Sequence, residues 1–163
     1  MKEVLSVYKY IMLEPKNVFD ISNIIKETNS NTNFFISPYT EKNELIEQSI
    51  RVAMFDYKEL YFATVEKETF KNIVCLKILP NPPFKNASAE IKIISNIDEF
   101  NDRLFTYIKG ELIKYFPNIS KITIYNFNNK IDKLVNTFKF TKELTLLKEL
   151  PDGNIDVYSN YLI

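Results

Sequence analysis

Ala87-Ser88-Ala89-Glu90-Ile91-Lys92-Ile93-Ile94-Ser95-Asn96-Ile97-Asp98-Glu99-Phe100-Asn101-Asp102-Arg103 carries the chain from a strand into a long helix, and its reading decides the fold. A period of two puts Ala87, Ala89, Ile91 and Ile93 on one face of the strand and Ser88, Glu90 and Lys92 on the other. From about Ile97 the period becomes helical and runs to Tyr115. Phe100, Leu104, Ile108 and Leu112 recur every four residues, with Phe105 and Phe116 beside them. Such a stripe buries against a sheet, each side chain contributing about 1.5–3 kcal/mol. Asn96 with Glu99 three residues on matches a capping arrangement, and acids at a helix start suit its dipole. Pro117 stops the helix, and Ser120 to Tyr125 reads as the next strand. Strand, helix and strand in this order form a right-handed crossover, which makes the sheet mixed.

The pattern extends in both directions. Val4 to Leu13 reads as an edge strand ended by Pro15. Asp20 is placed to cap a helix with Ile21, Ile24 and Ile25 on one side. After the polar break Asn29 to Asn33, Thr40 is placed to cap a second helix with Leu45, Ile46, Ser49, Val52 and Ala53 near one face. Leu60 to Glu66 and Ile73 to Leu79 read as strands joined across Lys67 to Asn72, and Asn81-Pro82-Pro83 forces a loop. Beyond Tyr125 come a short helix from Asn128 to Phe138 and a hairpin, Lys142 to Leu150 with Asn154 to Leu162, turning at Pro151-Asp152-Gly153.

Composition narrows the chemistry. The 163 residues are most simply one domain, 1–163. With 21 basic and 21 acidic residues the formal net charge is zero, so neither a nucleic acid nor a membrane is the expected partner. The absence of histidine excludes Ser-His-Asp and Cys-His machinery and histidine-ligated zinc. A carboxylate-only magnesium site is open by residue type, but no acids cluster for one, so no metal is expected. The single cysteine, Cys75, excludes an intrachain disulfide and reads as a small apolar core residue. With no signal-like stretch after Met1, the expected location is cytoplasmic.

Asn128-Asn129-Lys130-Ile131-Asp132-Lys133-Leu134-Val135-Asn136-Thr137-Phe138-Lys139-Phe140 resembles the Asn-x-x-Ala-x-x-Leu-Tyr-x-x-x-Gly-Phe pattern of the GCN5-related N-acetyltransferase (GNAT) superfamily, matching at Asn128, Leu134 and Phe140. Glu143 and Asp152-Gly153 followed by Asp156 also look like that family's ending. The order of elements is similar over essentially the whole chain. The resemblance implies an α/β (α+β) fold, with a mixed, mostly antiparallel central sheet of about seven strands flanked by four helices. It also implies an acyl-CoA-dependent N-acyltransferase moving an acetyl or longer acyl group from acyl-CoA to an amine. Two other readings share the fold: a non-catalytic ligand- or protein-binding domain, and a structural subunit that packs its C-terminal hairpin across a homodimer.

The resemblance also implies roles. The backbone of Ile93 or Ile94 would polarise the thioester, and the coenzyme would lie between the fourth and fifth strands. Glu90 would deprotonate the amine through water, although a solvated strand glutamate is the plainer reading. Tyr125 would stand in for the family's tyrosine, which falls on Val135, or simply be a rim tyrosine. Asn128 would bind the pantetheine arm or cap its helix, and Asn96 and Arg103 lie along the coenzyme's path. Against this, the family's Arg/Gln-x-x-Gly-x-Gly/Ala diphosphate loop is missing, and the family glycine before phenylalanine falls on Lys139. Asp98 and Glu99 sit where the phosphates belong. At about 4 Å and an effective dielectric near 20, each like-charge contact would cost on the order of 4 kcal/mol before screening.

Overall fold

The computed structural model describes residues 7–81, 86–127, 129–150 and 153–162. The elements in order are β1 (Tyr8–Met12), α1 (Val18–Thr28), β2 (Phe35–Ile36), α2 (Glu47–Phe55), β3 (Glu59–Glu66), β4 (Thr69–Asn81), β5 (Asn86–Ile94), α3 (Asp102–Tyr115), β6 (Ile119–Asn126), α4 (Asp132–Thr137), β7 (Thr141–Leu150) and β8 (Gly153–Tyr161). They build one sheet in the order β1-β3-β4-β5-β6-β8-β7, with β2 paired to β5. Among the described residues only β5 and β6, joined through α3, run parallel. This is the mixed, mostly antiparallel sheet flanked by four α-helices that the sequence implies.

Helices cover both faces. On one, Leu104, Phe105, Ile108 and Leu112 of α3 and Leu134 and Val135 of α4 pack on Phe62, Leu76, Ile91 and Ile122. On the other, Ile21 and Ile25 of α1 and Ile50 and Met54 of α2 pack on Tyr61, Ala63, Cys75 and Ile93. Cys75 is fully buried, as a small apolar residue should be.

Several boundaries differ from the sequence reading, each for a local reason. Ile97–Glu99 is a separate 3-10 turn, and the chain is extended at Phe100 and Asn101 before α3 begins. Asn96 caps that turn by accepting from the Asp98 amide at 3.1 Å, and Asn101 caps α3 by accepting from Leu104 at 3.0 Å. Asp98 and Glu99 therefore do not belong to the first turn of the long helix. In the second helix, a 3-10 turn at Lys42–Leu45 precedes α2, so a 3.6-residue count from Thr40 loses its phase. Ile50 and Met54 face inward, while Ile46 and Val52 are exposed. Asn17 rather than Asp20 stands at the N-cap of α1. The β3–β4 hairpin turns on Lys67 and Glu68 alone, both at positive φ, so β4 starts at Thr69. The last helix is reduced to Asp132–Thr137. Residues 4–6, Pro82, Pro83, Asn128, Pro151 and Asp152 lie outside the described residues.

Candidate functional site

β4 holds one edge of β5 along its length, but β6 holds the other only from Ala87 to Glu90. The last parallel pair is Glu90 with Thr123. Past it the two strands part and form a fork. The cause is Lys92, an extra residue with no partner on β4: Leu76 faces Ile91 and Cys75 faces Ile93. A bulge bends its strand and re-aims the side chains around it. Ile91 therefore joins the α3-side core and Ile93 the α1/α2-side core, although simple alternation put them on one face.

The vacated edge is not bare. β2 pairs there antiparallel, Ile36 with Ile93 and Phe35 with Ile94. Ser37 N–H donates to the Lys92 carbonyl at 2.7 Å, and Ile97 N–H donates to the Asn33 carbonyl at 2.8 Å. Backbone groups alternate between edges along a strand, so the Ile94 amide points to the same edge as the Lys92 carbonyl. Phe34 and Phe35 are 3% and 0% exposed. Withdrawing β2 would uncover both rings at about 1.5–3 kcal/mol each.

The α1/α2 side of the fork holds a buried polar cluster. Glu90 and Lys92 are 6% and 1% exposed, not solvated as the strand pattern suggested, because α1 and α2 roof this face. The Lys92 ammonium bonds to Glu59 and, at 3.2 Å, to Glu44, which also lies 3.6 Å from Lys77. Tyr61 O–H donates to Glu59 at 3.1 Å, and the Ser37 hydroxyl donates to Glu90. Burial pulls the Lys92 ammonium down, but Glu59 and Glu44 outweigh it and the net shift is upward. Burial raises the Glu90 carboxyl above its ordinary value despite Ser37, Lys77 and Lys92. Burial also raises the half-buried Tyr125 phenol, helped by the neighbouring Glu90 charge. Tyr125 meets Tyr39 edge-on, with ring centroids 5.3 Å apart.

At the tip of the fork the loop into α3 spends its own donors. Ser95 N–H goes to the Ile73 carbonyl, Asn96 to Asn72 Oδ1, Ile97 to Asn33, Asp98 to Asn96 Oδ1, Glu99 to the Asn96 carbonyl and Phe100 to Ile97. Between this loop and α4 lies a groove of about 320 Å³ whose charged lining is Asp98, Asp102 and Lys133.

No family model and no curated protein matches the chain. Solved structures do. An N-acetyltransferase from Staphylococcus aureus Mu50 is similar at TM-score 0.71 and 13% identity, over 96% of this chain and 98% of that one. The ribosomal-protein-S5-alanine acetyltransferase of Vibrio fischeri gives 0.69 and 14%, over 97% of both chains. Mutant forms of the spermidine/spermine N-acetyltransferase SpeG of Vibrio cholerae give 0.63 and 19%, over 95% and 94%. The chain has the GNAT fold.

Within that fold, Glu90 ends the β5–β6 pairing opposite Thr123, and its charge reaches the Tyr125 phenol further along β6. Asn96 is committed to the 3-10 turn. Arg103 is exposed and lines a shallow hollow with Tyr10 and Tyr107, toward the β1 edge and away from the fork. Asn128 lies outside the described residues. Lys139 sits at φ 56°, a left-handed position that explains why glycine suits that place in the GNAT pattern. The six successive amides from Ser95 to Phe100 are already bonded within the protein and carboxylates stand beside them, so these six offer a diphosphate no spare donor. Among the described residues no group of three or more His, Cys, Asp or Glu could hold a metal, and no helix is long and apolar enough to cross a membrane.

Sequence reasoning missed Ser37, Glu44, Glu59 and Tyr61. A signal for them was present. With helices on both sides of the sheet, Glu90 and Lys92 had to be buried, and a buried lysine requires carboxylate partners.

Proposed function

We propose that the chain is a ligand- or protein-binding domain built on the GNAT fold, one that does not take acyl-CoA. The loop carries this reading. A phosphate is held at such a junction by free backbone N–H groups and a positive helix end. Here the amides from Ser95 to Phe100 all donate within the protein, and Asp98 and Glu99 add negative charge. Calorimetric titration with acetyl-CoA and longer acyl-CoAs up to millimolar tests it, together with thermal unfolding. No heat and no shift are expected. Ligand at 100 times its Kd would stabilise the fold by about 2.7 kcal/mol, so tight binding would be plain and would overturn the reading.

One observation favours a second reading, N-acyl transfer to an amine. Where β5 and β6 part, the Glu90 charge acts on the Tyr125 phenol. A carboxylate whose proton affinity is raised by burial is suited to accept the amine's proton through water, and a phenol kept protonated is suited to donate one. This reading needs the Ile94 backbone amide at the reacting carbonyl, and therefore needs β2 to leave that edge. Thiol release from acetyl-CoA with a panel of primary amines separates the readings. Turnover that falls about 10²–10⁴-fold in Glu90→Gln supports transfer, and none in the native protein removes it.

A further inference from the structure

Unpaired backbone groups on a strand edge must find partners, and an extended chain with regularly spaced amides is the natural one. On β5 that requirement falls on the stretch beyond Glu90, where β6 has left, and Asn33 to Ser37 meet it. We infer that this segment is a built-in occupant of a strand-addition site, filling with the protein's own backbone an edge that would otherwise take an extended amide-bearing ligand such as the pantetheine arm of a thioester. This deepens the binding-domain reading on different residues: the loop closes the seat of a diphosphate, while β2 closes the track of the arm.

The segment is anchored rather than laid on. Phe35 enters the α3-side core against Val74 and Ile94, and Phe34 enters the α1/α2-side core. The Ser37 hydroxyl is spent on Glu90 and its amide on Lys92. Lids come from exposed, sparsely packed chain, and these residues are neither. A ligand that had to uncover both rings would lose about 100- to 10,000-fold in affinity. The occupant therefore acts as a fixed part of the sheet.

S-acetylpantetheine tests this, because it carries the arm's amides without the diphosphate that the loop refuses. The protein is compared with a Phe34→Ala, Phe35→Ala double variant by amide NMR titration. Binding by the variant at millimolar ligand, with perturbation at Ile94 and Ile97, and binding at least 100-fold weaker to the native protein, is expected. Equal affinity in the two proteins, or none in either, overturns the inference. Native-state hydrogen exchange on the unmodified chain decides the matter even if the variant does not fold. Ser37 and Ile94 amides should exchange within about tenfold of the slowest core amides, whereas exchange about 1,000-fold faster would make β2 a lid and overturn its fixed role. Acetyl-CoA binding to the native protein would count against the loop reading instead, so the two failures are distinguishable.

Discussion

The two faces of β5 do different work. Toward α3, Ala87, Ala89, Ile91 and Ile94 meet an apolar core whose rings pack on one another: Phe100 with Phe138 at 5.1 Å and Phe105 with Phe140 at 5.6 Å. Toward α1 and α2, Glu90 and Lys92 are just as deeply buried but are held by Glu59, Glu44 and Ser37. The first face asks only for volume and shape. The second works only if every charge keeps its partner, and it is where a chemical role could survive. One strand serves both because the bulge at Lys92 moves Ile93 across and opens the fork.

That contrast can be broken by substitution. The largest effect is expected at Lys92. Lys92→Met strands the buried Glu59 carboxylate and should cost about 3–5 kcal/mol in urea unfolding. Adding Glu59→Leu to it should restore a large part of the loss, and failure of that rescue would show that the pair is not the source. On the apolar face, Ile91→Val removes one methyl group and should cost about 0.5–1.5 kcal/mol. A loss as large as that at Lys92 would erase the distinction between the faces.

The subtlest effect is on pH dependence. The native state holds the Glu90 proton more tightly than the unfolded chain does, since burial raises its carboxyl. Between the ordinary glutamate value and the raised native one, the folded protein binds more protons, so Glu90's contribution to stability falls as pH rises. Gln does not titrate. Glu90→Gln should therefore gain stability relative to the native protein as pH rises through that window. Parallel stability–pH curves would contradict a raised native value.

Much of the fold was legible because its signals are periodic. The stripe Leu104, Ile108, Leu112 announced α3 and the crossover that orders β5 and β6. The breaks were less legible. A 3-10 turn, such as Ile97–Glu99 or Lys42–Leu45, changes helical phase without changing composition. β2 has only two residues, too few for any period to register. At the fork, Glu90 was singled out from its strand position and Tyr125 as a stand-in for the tyrosine that the resemblance implies. Their environment was not found, because Ser37, Glu44 and Glu59 come from distant chain segments that only the packed sheet assembles. The loop is the mixed case. Its acids and its missing glycines were visible in the sequence, while the internal use of its six amides was not, since Asn33, Asn72 and Ile73 supply part of the acceptors.

The claim that the coenzyme's place is already filled is tested most directly by the backbone amide spectrum of the native protein with acetyl-CoA at millimolar concentration. The amides of Ile94 through Phe100 should stay where they are, because each already has a partner inside the protein. Saturable shifts clustered on those residues would mean that a ligand displaces those bonds, and would contradict the account.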